Sequence, residues 1–187
     1  QWGGTNTRNM VSSEKGMPTK FNPGKKKSGS EEIDMSTTEN CLWVAKLGSQ
    51  SYGTVTVANG RVFVGTNNES PRASKHQGDR GIVMCFDEKT GAFKWQLVAP
   101  KLGAGKVSDW EFLGMCSTPT IVGDRGYFVS NRCEVVCIST KALSADRKGK
   151  VQLIDATRMY AKMKKSLGNK RVYLTEAQIE EVVKVYA

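Results

Sequence analysis

The fold is decided by GIVMCFDEKTGAFKW, residues 81–95. Alternating apolar residues predict a strand over 82–86, and a second strand ends on the aromatic ring of Trp95. Between them, Asp87 and Thr90 are turn residues, and Gly91 can adopt the positive φ that a tight hairpin needs. The stretch therefore predicts a β-hairpin.

The hairpin lies inside an internal repeat. Residues 54–67 (TVTVANGRVFVGTN) align without a gap on residues 118–131 (TPTIVGDRGYFVSN), with four identical positions. Beyond them, 82–86 matches 134–138, so that Cys85 and Cys137 become equivalent. The first copy has about a dozen extra polar residues, roughly 68–79, which predict a loop between two strands and include His76, to which no role is assigned. Repeated short strands of this kind are typical of β-propeller blades.

These residues resemble the quinoprotein-dehydrogenase-like (PQQ-like) β-propeller repeat, over roughly residues 1–140. Its consensus is a tryptophan strand, a strand ending in a turn, a strand ending in glycine, and a D-x-x-T-G-x-x-x-W hairpin. The matching structural positions are Trp43, Gly65, Asp87, Gly91 and Trp95. The resemblance implies that both tryptophans pack between blades and that Asp87 caps a turn. It implies quinone chemistry only for a full ring with its stacking tryptophan and calcium ligands, none of which can be placed here, so no cofactor is expected.

The second copy departs from the consensus, because Val129 replaces the first copy's Gly65 and no second D-x-x-T-G hairpin follows Ile138. After residues 141–150 the pattern changes. Residues 151–154 predict a short strand and 158–165 a helix. Thr175 and Gln178 form a capping-box pattern before a second helix, whose apolar positions 179, 182, 183 and 186 recur with helical spacing.

Segment 145–187 resembles the part of type I restriction-modification adenine-specific DNA methyltransferase subunits that follows the catalytic core. The residues that carry this resemblance are 145–156, 162–171 and 174–179. The glycine-rich loop for S-adenosylmethionine and the Asn-Pro-Pro-aromatic motif that holds a flipped adenine are absent from the sequence, so methylation is not carried over. The tail's candidate nucleic-acid contacts are its clustered cations: Lys162, Lys164, Lys165, Lys170 and Arg171.

Composition separates a few function classes. Half of the net charge of +10 lies in the short tail, where residues 145–187 hold ten Lys and Arg against five Asp and Glu. Such a charge fits either a solvated surface or phosphate contacts. The sequence contains no run of 18 or more apolar residues, so no membrane span is predicted. Cys133 and Cys137 are four residues apart on a predicted strand, about 13 Å, which is too far for one metal ion.

The sequence thus predicts a mainly β chain: a partial PQQ-like β-propeller of about one and a half to two antiparallel blades with a small α/β C-terminal appendage. Its expected divisions are an extended lead-in (1–40), partial blades (41–140), a junction (141–150) and a methyltransferase-like strand with two helices (151–187). The junction indicates a fusion, a recombined gene fragment or an erroneous gene assembly. The expected function is a non-catalytic propeller-repeat module that binds protein through open blade edges. The alternative is a methyltransferase fragment whose basic tail contacts DNA. The propeller resemblance implies export, whereas the methyltransferase resemblance implies a cytoplasmic location.

Overall fold

The chain is mainly β, as the sequence predicts. The computed structural model describes residues 15–103 and 110–140, together with 152–153, 161–167, 170–173, 175 and 177–178 of the tail. Its strands form two four-stranded and two two-stranded antiparallel sheets.

The lead-in forms a small hairpin rather than a wholly extended segment. Strand β1 (Lys25–Lys26) pairs with β2 (Ile33–Asp34), and a single 3-10 turn, η1 (Met35–Thr37), follows. The Asp34 carboxylate accepts a hydrogen bond from the backbone N–H of Ser36, which caps this turn.

The first four-stranded sheet contains β3 (Thr56–Ala58), β4 (Arg61–Asn67), β5 (Arg80–Asp87) and β6 (Phe93–Pro100), in chain order. Asn59 and Gly60 both have positive φ, +54° and +71°, and make the two-residue turn between β3 and β4. This combination suits a tight hairpin, since glycine and asparagine tolerate left-handed backbone.

The second sheet repeats the first. It contains β7 (Thr120–Val122), β8 (Arg125–Val129), β9 (Val135–Ser139) and β10 (Gln152–Leu153), in the same spatial order. Strand β10 confirms the strand predicted over 151–154 at its two central residues. It pairs with β9 through Gln152 opposite Cys137 and Leu153 opposite Val136. The beginning of the tail is therefore part of the second sheet.

The helix predicted over 158–165 is wrong where the structure describes it. Residues Ala161–Leu167 form strand β11, which pairs with β12 (Lys170–Tyr173), and Leu167 lies opposite Lys170. The intervening Gly-Asn dipeptide at 168–169 is a hairpin sequence, and β12 contains a β-branched and an aromatic residue, so strand pairing overrides helical propensity here. Residues 158–160 lie outside the described residues.

The capping box predicted at Thr175 is confirmed. The Thr175 backbone N–H donates to Gln178 Oε1 at 3.0 Å, and the Gln178 N–H donates back to Thr175 Oγ1 at 3.3 Å. Residues 177–178 are helical, and the rest of the predicted helix lies outside the described residues.

The core consists of two apolar layers, one on each face of the first sheet. In one layer, segment 41–47, which precedes the sheet, packs on Val62, Val64, Ile82, Met84 and Phe86. The other layer lies between the two sheets and is formed by Val83, Ala99, Met115, Phe128 and Val136. Strand β5 is buried from Gly81 to Phe86 because both of its faces are covered.

Candidate functional site

Trp43 fixes the first of these layers to the β5–β6 turn. Its indole Nε1 donates to the backbone carbonyl of Glu88 at 2.8 Å, and its ring lies 6.2 Å from that of Phe86. Gly91, at φ +69°, lies directly under the indole, and a Cβ there would be 2.5 Å from Trp43 Cδ2. Only glycine satisfies both the backbone conformation and the close approach.

Asp87 organises the same turn. Its Oδ1 accepts hydrogen bonds from the backbone N–H of Lys89 and from both the N–H and the hydroxyl of Thr90, at 3.0–3.2 Å. Its Oδ2 lies 3.1 Å from the Lys94 ammonium. The bond to Lys94, followed by those to Thr90, lowers the pKa of Asp87 to about 2. Its carboxylate is thus engaged in holding the turn.

Gly65 and Trp95 lie in the layer between the two sheets. A Cβ at Gly65 would overlap the backbone carbonyl of Met115, whose side chain is fully buried. Trp95 packs against Phe63, with ring centroids 6.1 Å apart, and against the cluster that contains Phe128. These two positions therefore allow one sheet to pack closely on the next.

Equivalent positions of the two repeats touch at both ends of β3 and β7. The Thr54 N–H donates to Thr118 Oγ1 at 2.9 Å, and Asn59 Nδ2 donates to the Gly123 carbonyl at 2.8 Å; both pairs are 64 residues apart. Sheets stacked by translation would hold equivalent residues about 10 Å apart. Here β3 lies against β7, whereas a layer of large side chains separates the outer strands. The two sheets are therefore related by a rotation about an axis near β3 and β7.

Segment 41–47 lies on the first sheet but forms no assigned strand of its own. Its alternate residues Trp43, Ala45 and Leu47 pack on the apolar layer of β4 and β5. The residues between them face outward, and Leu42 is 86% and Val44 45% exposed. Among the described residues, no strand pairs with this segment. The tryptophan strand that the propeller consensus places at Trp43 is therefore not formed as a paired strand among the described residues, and nothing in the sequence alone predicts this open edge.

A shallow groove lies next to this segment. It has a volume of about 370 Å³ and is lined by Lys46, by Arg72 and by residues 69–71. Arg72 stacks over the Phe93 ring, with its guanidinium carbon 4.8 Å from the ring centroid, and burial lowers its pKa. The groove is open to solvent, and Arg72 is engaged with aromatic rings of the first sheet.

The cysteines of the described residues are all free thiols. Burial raises the pKa of Cys85 to about 11, so this thiol is protonated at neutral pH and packs as a small apolar group. In the same residues, no group of three or more His, Cys, Asp or Glu side chains could hold a metal ion.

The basic positions of the tail come together on one hairpin. Strand β11 carries Lys162, Lys164 and Lys165, and β12 carries Lys170 and Arg171. The structure describes only the backbone of these strands.

No protein-family model and no curated protein matches this chain. Within the part of the chain that the structure describes, no helix is long and apolar enough to cross a bilayer.

Proposed function

We propose that this chain is a PQQ-like β-propeller repeat segment that binds protein through its open sheet edges and catalyses no reaction. The contacts between positions 64 residues apart that flank β3 and β7 carry this proposal. Four-stranded antiparallel sheets that fan about an axis next to their first strands are the arrangement of propeller blades.

The chemistry of the described residues favours binding over catalysis. The Asp87 carboxylate is saturated by turn contacts, and the Cys85 thiol has a raised pKa, which opposes the thiolate form that a nucleophile needs. Binding, in contrast, has apolar surface available, since Leu42, Val44 and Val129 are all at least 45% exposed.

Two calorimetric titrations test the absence of catalysis. Pyrroloquinoline quinone with Ca²⁺ and, separately, S-adenosylmethionine are each titrated into the protein, and we expect no saturable heat at micromolar ligand. Saturable heat with either compound would overturn the non-catalytic proposal.

A strand peptide tests the binding function. A fluorescent peptide with the sequence of β6, residues 93–100, should bind the outer edge of β9 in place of the short strand β10, because β6 pairs in the same way with the equivalent strand β5. A peptide of identical composition in scrambled order is the control. Fluorescence anisotropy that rises equally for both peptides, or for neither, would contradict strand addition.

DNA binding by the β11–β12 hairpin is the second candidate, and the placement of its five basic positions on two paired strands favours it. Each phosphate contact contributes about one unit to the slope of log K against log salt. Replacing Lys162, Lys164 and Lys165 by alanine should lower that slope by about three in a duplex-DNA titration. Unchanged binding would exclude the hairpin as the contact.

A further inference from the structure

Segment 41–47 occupies, on the first sheet, the position that β6 occupies on the second. The repeat offset in this part of the chain is 52 residues: Trp43 precedes Trp95 by 52 residues, as Cys85 precedes Cys137. Trp95, Leu97 and Ala99 of β6 pack on the layer that contains Phe128 and Val136. Trp43, Ala45 and Leu47 pack on the cluster that contains Val64 and Met84, the equivalent residues of the first sheet.

Segment 41–47 and β6 differ in their pairing with neighbouring strands. Strand β6 is hydrogen-bonded along β5, through seven residue pairs from Arg80–Pro100 to Phe86–Phe93. Segment 41–47 has no strand partner among the described residues, although its outward face presents Leu42 and Val44. It has the alternation of an outer strand but no neighbouring strand among the described residues.

The second sheet, in contrast, has a short outer strand. Its β9 corresponds to β5, and over the described residues its outer neighbour β10 pairs with it at two positions. In that register Gln152 lies opposite Cys137, where the first sheet places Trp95 opposite Cys85. Within the part of the chain that the structure describes, the outer edge of β9 therefore carries no counterpart of the long tryptophan-bearing strand β6.

The outer face of the second sheet is incomplete in the same way. Phe63 and Val83 of the first sheet are at most 1% exposed because the second sheet covers them. Their equivalents Tyr127 and Val135 are only partly buried, and Val129, at the position of Gly65, is 46% exposed.

We propose that copies of this chain assemble head to tail, with segment 41–47 of one copy pairing with β9 of the next in place of β10. This inference rests on the propeller-repeat architecture proposed above and adds the identity of the partner. The contact joins two different surfaces of the same chain, so it closes into a ring when the rotation permits. Propellers close with four to eight blades, and with two sheets per copy this corresponds to two to four copies.

The register of the first sheet fixes the register of the contact. There, Met84 lies opposite Gln96 and Ile82 opposite Val98. Transferred by 52 residues, Val44 lies opposite Val136 of a second copy, and Lys46 lies opposite its Glu134. The contact buries an exposed apolar side chain and places a cation opposite an anion, which favours cross-strand pairing.

The test is the molar mass in solution, measured by light scattering during gel filtration at about 100 μM. The wild-type chain of 20.5 kDa should elute at two to four times this mass. Lys46→Glu and Glu134→Lys should each return it to a monomer, because like charges then lie opposite each other, whereas the double exchange should restore assembly. Lys75→Glu, the same charge change in the exposed loop after β4, is the matched control and should assemble like the wild type.

A wild-type monomer overturns the inference, and so does a mass that Lys46→Glu and Lys75→Glu change equally. Circular dichroism of every variant separates loss of assembly from loss of fold. A monomeric wild type that still binds the β6 peptide would refute self-assembly and leave the proposed strand-binding function standing; loss of peptide binding as well would refute both.

Discussion

Substitution of Gly65 by alanine probes the packing of the two sheets most sharply. The new Cβ would overlap the Met115 carbonyl, and Met115 cannot retreat freely because its N–H donates to the Thr66 carbonyl at 3.0 Å. Overpacking of this kind costs about 1–3 kcal/mol, and a weakened backbone hydrogen bond costs about 1 kcal/mol more. Alanine recovers about 0.5–1 kcal/mol over glycine within a strand. The net expected loss is about 2 kcal/mol in the free energy of unfolding.

Urea unfolding followed by tryptophan fluorescence measures this loss, with all variants at one protein concentration because association stabilises the folded state. The repeat supplies its own control. Val129 is the equivalent residue of the second sheet and is 46% exposed, so Val129→Ala should change stability by no more than about 0.5 kcal/mol. Equal costs at the two positions, or a Gly65→Ala protein as stable as the wild type, would refute the packed layer between the sheets.

Three further outcomes follow from the first sheet. Trp43→Phe should cost about 1 kcal/mol by removing the donor to the Glu88 carbonyl, and Trp43→Ala about 3 kcal/mol by also removing the ring; urea unfolding followed by circular dichroism would contradict this if both were neutral. Because the folded-state pKa of Asp87 is lowered from 3.8 to about 2, its stabilisation is present above pH 4 and is lost as the pH falls towards 2. Acid titration of Asp87→Asn should therefore show a shallower loss of stability than the wild type, and parallel curves would exclude this role. Cys85, with its pKa near 11, should react with an aromatic disulfide only in urea, whereas the exposed Cys116 reacts in the native protein; rapid native labelling of Cys85 would contradict its burial.

Periodicity predicted the strands of the repeat well, because their side chains report directly on which faces are buried. The alternation in 82–86 locates β5 correctly. The gapless alignment of 54–67 on 118–131 anticipates the second sheet.

Periodicity in the sequence did not predict two features of the structure. Lysine-rich residues 161–167 have ordinary helical propensity, and only their pairing with β12 makes them a strand, which is a tertiary effect. Whether a strand pairs with segment 41–47 depends on residues elsewhere in the chain. The alternation within the segment therefore does not predict its open edge. The contact of Thr54 with Thr118 likewise depends on how two separate sheets pack.

Nuclear Overhauser spectroscopy on the labelled protein tests the rotational relation of the two sheets most directly. The account predicts cross-peaks between the Thr54 amide proton and the side-chain protons of Thr118, and between the Asn59 side-chain amide and Gly123, since both pairs are joined by hydrogen bonds of 2.8–2.9 Å. Cross-peaks from Thr54 and Asn59 that reach only residues of their own sheet would contradict it.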